Sequence, residues 1–176
     1  GQNQETLAGH VDISQPLEPS PYINQVSWSE SELNPNNALA LTLYFADPRG
    51  MYLVPVTRLV PKTQAVARAV VQELILGPEK ESGLSPVIPA GTRCLGVKLD
   101  QGILTVDFSR ELIDNHSGGS TGEALTTGAI VHSLSALPGV HAVQILIEGK
   151  PGPSIGGQVV LTEPLRARYL NLLLKP

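Results

Sequence analysis

Two amphipathic helical patterns, each followed by strand patterns, constrain this chain more than any other feature. From about Thr63 to Leu76, the residues Val66, Ala69, Val70 and Leu74 recur at helical spacing, with Arg68 and Gln72 on the opposite side. Thr63 is the expected N-cap, and Gly77-Pro78 the expected stop. From about Ser120 to Leu137, a second stripe is carried by Ile130, Val131, Leu134 and Leu137. Gly128 and Ala129 are small enough for close packing against a sheet, and Pro138-Gly139 ends the pattern. Between the helices, Arg93 to Ser109 reads as a tight hairpin turned at Asp100-Gln101-Gly102. Leu95, Val97 and Leu99 alternate with Gly96 and Lys98. Leu104, Val106 and Phe108 then face a core, while Thr105, Asp107 and Ser109 face outward.

Upstream, Leu39, Leu41, Leu43 and Phe45 alternate with Ala40, Thr42 and Tyr44, which is the period of a half-buried strand. Asp47-Pro48-Arg49-Gly50 has type I turn chemistry, and Met51 to Arg58 reads as the returning strand. Pro55 has no N–H to give a ladder, so that strand is expected at an edge. Downstream, Val140 to Ile147 is a β-branched run suited to a central strand. The stretch from Val159 to Leu174 breaks at Pro164, then turns apolar from Tyr169 to Leu174, and is expected to cover the sheet as a short strand or helix. The sum is an α+β, two-layer sandwich of order β-α-β-β-α-β, a split βαβ arrangement with an extra N-terminal hairpin strand. Such a layer binds or assembles more often than it reacts, unless a site is built onto it.

Composition narrows the function classes. The 176 residues suffice for one domain with a core plus an extension, and hydrophobic residues make up 41% of them. Aromatics are only 4%, too few for base-stacking platforms, and the net charge of −4 comes without a Lys/Arg cluster, so nucleic-acid binding is not expected. A single cysteine, Cys94, rules out a disulfide scaffold and reads as a small buried hydrophobe. No apolar run approaches the ~18 residues of a membrane span. The chain starts at Gly1 with no signal peptide, so contact with a membrane is expected only through an N-terminal anchor absent from these residues. Residues 1–38 carry Glu5, Asp12, Glu18, Glu30 and Glu32, four prolines and no Lys or Arg. They read as an acidic, largely extended tether, with Tyr22, Ile23, Val26 and Trp28 able to dock it onto a domain spanning 39–176.

The candidates for chemistry are few. Gly118-Gly119-Ser120-Thr121-Gly122 matches the G-x-S-x-G of a nucleophile elbow, which needs a strand ending immediately before the serine. The preceding strand ends near Ser109. No Asp follows Ser120, and His132 and His141 stand ahead of Glu148 and Glu163. Ser120 and Glu123 fit a capping box better, so Ser120→Ala is expected to cost about 1 kcal/mol of stability. The glycines lack the lysine of a phosphate-binding loop. Asp107, Glu111, Asp114 and His116 match no calcium or zinc spacing, and His10, His116, His132 and His141 are scattered. The expectation is no catalytic, cofactor-binding or metal-ligating residues, and no enzyme.

Several blocks in order resemble the GerM-type (GerMN) sporulation and spore germination domain. They are Leu43-Tyr44-Phe45, Tyr52 to Val56 with Arg58, Leu74 to Pro78, Ile88 to Thr92, Val106 to Ser109, Gly139-Val140 through Ile147 to Pro151, and Leu161 to Leu165. The resemblance covers about residues 39–166, in one copy. It implies a fold like the ring-building motif of secretion systems. It implies an extracytoplasmic protein of spore-forming and other Gram-positive bacteria, anchored as a lipoprotein or by an N-terminal membrane segment. It also implies a protein–protein interaction role in the cell envelope, with envelope or sporulation proteins or a second copy as partners. The contact surface is expected on the helices or on the strand edge near Pro55. The alternative is a cell-wall or small-ligand binding module, with a pocket formed by the 79–92 and 110–119 loops.

Overall fold

The computed structural model of the chain describes residues 6–7, 11–12 and 37–167. Strands β1 (Thr6–Leu7) and β2 (Val11–Asp12) form a small antiparallel ladder. Strands β3 (Ala38–Ala46) and β4 (Leu53–Pro61) form a long antiparallel hairpin. Helix α1 (Val66–Leu76) follows, then the antiparallel pair β5 (Cys94–Asp100) and β6 (Ile103–Phe108). A single turn, α2 (Glu111–Asp114), leads to α3 (Ser120–Ser135) and to β7 (Ala142–Ile147), which lies parallel to β6. From β4 onward the order is β-α-β-β-α-β once the single turn α2 is set aside, and β3 is the extra N-terminal hairpin strand. The strands divide into the β3–β4 pair and a β5-β6-β7 sheet, and α1 and α3 pack on each other and against both.

The alternating patterns place their side chains as expected in β3 and β6. Leu41, Leu43 and Phe45 are buried, as are Leu104, Val106 and Phe108. The hairpin turn Asp47 to Gly50 closes through Gly50 N–H donating to Asp47 O (2.8 Å), and the Asp47 carboxylate also accepts from Met51 and Tyr52 N–H. Pro55 stands opposite Tyr44. The Tyr44 N–H points away from β4 to Ser133 Oγ of α3 (3.0 Å), so this pair is one where no ladder bond is required. The β5–β6 turn has Gln101 at φ 46° and Gly102 at φ 80°, the conformation that suits the right-handed twist of a two-residue hairpin. A Cβ on Gly102 would lie 2.6 Å from His141 Cδ2, so both backbone and space demand glycine there.

Several expectations need correction: the run expected as a central strand forms β7 at one end of the β5-β6-β7 order, and Ser109, expected to face outward, is buried with its Oγ accepting from Arg93 N–H. α1 starts at Val66 with Ala65 at the N-cap position and no side-chain cap; Thr63 Oγ1 instead accepts from Ala65 N–H (3.1 Å) one turn early. The capping box at Ser120 is absent. Gly119, at φ 83°, occupies the N-cap, and Ser120 is exposed and already helical. A side chain cannot readily adopt that entry angle, which is why the glycine takes the cap and the serine does not. The 110–119 segment, expected as a loop, contains the single turn α2, which buries Leu112 fully. Finally, β5 does not bury all its apolar residues. A bulge between Cys94 and Gly96 leaves Leu95 48% exposed, and Leu99 is 51% exposed. Cys94 is half-buried rather than buried.

One buried charge ties the hairpin to α1. Arg58 of β4 is 1% exposed and donates to Glu73 Oε2 (2.8 Å) and to Gly77 O (2.8 Å) at the C-terminal end of the helix. Its guanidinium also lies over the Phe45 ring, 5.6 Å from the centroid. The carbonyls at a helix C-terminus lack internal donors, and a cation there satisfies them and complements the helix dipole. Near the C-terminal end of the described chain, Leu165 bridges Val143 antiparallel on the outer edge of β7. The expected tether contacts at Tyr22, Ile23, Val26 and Trp28, and the Tyr169-to-Leu174 stretch, lie outside the described residues.

Candidate functional site

Two of the concavities among the described residues bear on function. The larger is an apolar groove of about 580 Å³ between the start of α1, the outer strand β5 and the end of α3. Val97 and Leu99 of β5, Leu104 of β6, Ala65-Val66 of the α1 start and Leu137 line it, with Arg68 among the groups at its side. Leu99 lies opposite Leu104, so the two side chains share one face of the sheet. Leu104 is buried and Leu99 is half in solvent, because among the described residues β5 is the last strand of its sheet. Leu95 and Ile103 add exposed apolar surface on the same hairpin.

The smaller concavity, about 260 Å³, forms where the 79–92 and 110–119 loops meet, at Pro86 to Ala90, Asn115 to Ser117 and the first turns of α3. Three of its polar side chains are already engaged within the protein. Gly118 N–H donates to His116 Nδ1 (3.0 Å), which leaves Nε2 to donate to Thr126 Oγ1 (3.1 Å); the threonine hydroxyl donates to Val87 O (2.7 Å). That tautomer is assigned from its partners. Asn115 Nδ2 donates to Ala90 O (2.8 Å).

The residues singled out in the sequence do not converge. Asp107 accepts from Gly149 N–H, Glu111 pairs with Arg93 (3.4 Å), and Asp114 pairs with Arg110 (3.3 Å). Among the described residues no three His, Cys, Asp or Glu gather into a metal-holding group. His132 is partly buried in α3, its ring tilted against Tyr44 at 5.6 Å between centroids. Burial pushes its pKa down, so the ring is neutral near pH 7. Burial pushes the Cys94 thiol up, away from the reactive thiolate. His141 is exposed, its backbone N–H donating to Gly102 O (2.8 Å). His10 lies outside the described residues.

Sequence reasoning missed what Glu123 does. It is fully buried in the first turn of α3, and its carboxylate accepts from the N–H groups of Ile155 (3.0 Å), Gln158 (2.7 Å) and Val159 (3.1 Å). Burial alone would push its pKa up. The loop amides, Gly156 included, outweigh that and hold it below the ordinary glutamate value. The carboxylate thus orders the 153–161 loop, whose Ile155 and Leu161 enter the core. The signal available in the sequence was the glycine-rich run Gly152 to Gln158, which can turn successive N–H groups toward one anion.

No helix among the described residues is long and apolar enough to cross a membrane. A search of curated proteins finds no match. Among solved structures, the tandem GerMN domains of the sporulation protein GerM from Bacillus subtilis are 25% identical over 93% of this chain, with a TM-score of 0.69. This chain spans 57% of the length of that one. The first GerMN domain of the same protein matches with a TM-score of 0.62 and 24% identity, covering 73% of this chain and 97% of that one. A Clostridium perfringens protein described as a candidate lipoprotein gives 0.54 and 23%, covering 76% of this chain and 91% of its own. The family model described as Germane, sporulation and spore germination, matches residues 42–153. With well over half of its residues matched in this way, the chain belongs to the Germane family of sporulation and spore germination domains.

Proposed function

We propose that this domain is a non-catalytic, extracytoplasmic protein-interaction module of the bacterial cell envelope, held at a membrane by an N-terminal anchor outside these residues. Its partners are envelope or sporulation proteins, with self-association as the case open to direct test. The observation that carries the reading is the apolar groove on the edge strand β5. Edge strands offer unpaired backbone groups, and contiguous exposed apolar surface marks contact sites. Membership in the Germane family supports a sporulation or germination setting, and the likeness to a Clostridium perfringens protein described as a candidate lipoprotein supports the compartment.

Sedimentation equilibrium over a wide concentration range tests it. The expected result is concentration-dependent association that Leu99→Asp abolishes while the thermal midpoint stays unchanged. A chain that is monomeric at every concentration, and whose groove cross-links to no envelope protein in intact cells, would sink the reading.

The pocket between the two loops gives a second reading, a cell-wall or small-ligand binding module, one specific support. It ranks second because His116, Thr126 and Asn115 are engaged with one another or with backbone rather than aimed at a ligand. Amide shifts at Ser117 and Gly118 on titration with soluble peptidoglycan fragments would reverse the order.

A further inference from the structure

The β3–β4 pair and the β5-β6-β7 sheet have four outer strand edges, and three of them are covered or blunted. On β3, Tyr44 N–H donates to Ser133 Oγ (3.0 Å), and Ala46 exchanges backbone hydrogen bonds with Ser85. On β7, Val143 exchanges backbone hydrogen bonds with Leu165, and Ile147 N–H donates to Lys150 O (2.8 Å). On β4, the residues opposite Ala38, Ala40, Thr42 and Tyr44 are Pro61, Leu59, Thr57 and Pro55. The Tyr44 N–H leaves the ladder, so these are the β4 positions whose backbone faces outward. Two of the four are prolines, with no N–H to offer. Covering segments and edge prolines are two of the ways in which sheets resist strand addition.

Strand β5 differs. Gly102 O and Phe108 O accept from His141 and Glu148 N–H on the β7 side, so the β5–β6 ladder bonds fall on Asp100–Ile103, Lys98–Thr105 and Gly96–Asp107. Val97 and Leu99 therefore turn their N–H and C=O outward, and no strand among the described residues takes them. Their side chains line the apolar groove. Lys98 and Asp100 stand on the other face of the strand, both exposed, with their charges 3.4 Å apart.

This edge is complementary to itself in one register. A second copy centred on Lys98 sets lysine against lysine. Centred on Val97, it sets Lys98 against Gly96 and Asp100 against Cys94, so neither charge gains a partner. Centred on Leu99, it sets Lys98 of each copy against Asp100 of the other, and the two Leu99 residues exchange both of their backbone hydrogen bonds. The two-fold axis then lays the two grooves side by side, and each half-exposed Leu99 covers the other.

We propose that a second copy of this chain adds antiparallel to the outer edge of β5, with Leu99 on the two-fold axis, and joins two three-stranded sheets into one of six strands. The pairing rests on the proposed function, which it sharpens from a contact surface to a partner and a register.

Charge variants of the full chain, compared by sedimentation equilibrium, test the register. Lys98→Glu sets two carboxylates against each other across the axis, and Asp100→Lys sets two ammonium groups. Each variant alone is expected to raise the dimer Kd about tenfold. Mixed in equal amounts, the two variants meet opposite charges at both sites, and the original affinity is expected to return. Both side chains stand in solvent, so folding is not at stake. In a Cys94→Ser background, Leu99→Cys is expected to form an interchain disulfide on mild oxidation, because facing residues lie about 5.5 Å apart. Val97→Cys is expected to form none, since its two copies stand about 14 Å apart along the strands. Cross-linking at Val97→Cys instead of Leu99→Cys, or charge variants that associate no better mixed than apart, overturns the proposal. If Leu99→Asp still abolishes association of the chain in that case, the groove remains the contact site and only the pairing falls. A chain that is monomeric at every concentration also overturns the pairing, and the proposed function then stands or falls on cross-links from the groove to envelope proteins.

Discussion

Each long helix is anchored by a buried charge, and the two anchors are built from opposite parts. At α1 the charge comes from outside the helix: Arg58 of β4 reaches the C-terminal turn and meets a carboxylate and a backbone carbonyl. At α3 the charge belongs to the helix itself: Glu123 reaches outward from the first turn to backbone amides more than 30 residues along the chain. Arg58 has a charged partner whose removal leaves a guanidinium stranded in the core. Glu123 has no cation among its partners; its charge is spread over amide dipoles of one loop. An ion pair locks two elements at a point, whereas an amide cradle dictates the course of a whole segment. The first anchor serves the joint between hairpin and helix. The second serves the loop that leads to the outer edge of β7.

The comparison can be broken in order of expected effect. Arg58→Ala should cost about 3–5 kcal/mol, the usual consequence of halving a buried pair; urea unfolding measures it, and a loss near zero would mean that water already reaches the pair. Glu123→Gln should cost roughly 2 kcal/mol, since its amide nitrogen must face an N–H that the carboxylate accepted. Hydrogen exchange should speed up at Ile155, Gln158 and Val159 but not in β3–β4. Uniform acceleration would show that Glu123 supports the whole domain rather than its loop.

Acid should act on the same loop. The folded pKa of Glu123 lies below its ordinary value of 4.5, so its contribution is complete above that value and is lost as pH falls through the lower folded one. Asp47, lowered first by its Tyr52 amide bond and then by those of Met51 and Arg49, titrates in the same direction. The pH slope below about 4.5 should therefore shrink in Glu123→Gln without vanishing. Ser120→Ala is the smallest change, expected within about 0.5 kcal/mol because no hydrogen bond depends on that hydroxyl. A loss near 1 kcal/mol on thermal unfolding would reinstate the serine cap.

Much of the fold was legible because it rests on period and punctuation. The alternation through Leu41, Leu43 and Phe45 and through Leu104, Val106 and Phe108, the turn at Asp47 to Gly50, and the stops at Gly77 and Pro138 are local signals. The errors lie where a local motif had a distant competitor. Ser120 to Glu123 reads as a capping box in isolation, yet the glutamate is drawn to the 153–161 loop and glycine takes the cap. Leu95, Val97 and Leu99 alternate with Gly96 and Lys98, yet a bulge and the edge position of β5 leave Leu95 and Leu99 about half in solvent.

The candidate site follows the same division. The loops at 79–92 and 110–119 do meet in a pocket, as their length and composition suggested. That three of its polar side chains are engaged within the protein could be known only once Thr126 and Val87 were placed side by side. The groove had no signature of its own, because it arises where, among the described residues, no strand pairs with the outer edge of β5.

The sequence by itself determined the order of helices and strands, the hairpin turns, and the block pattern that places the chain in its family. These depend on backbone preferences and on apolar spacing within a few residues. Only the tertiary structure decided which charge each helix would bury, which strand would be left at the edge, and hence where the apolar groove would open. Those outcomes depend on residues tens of positions apart competing for the same amides and the same space.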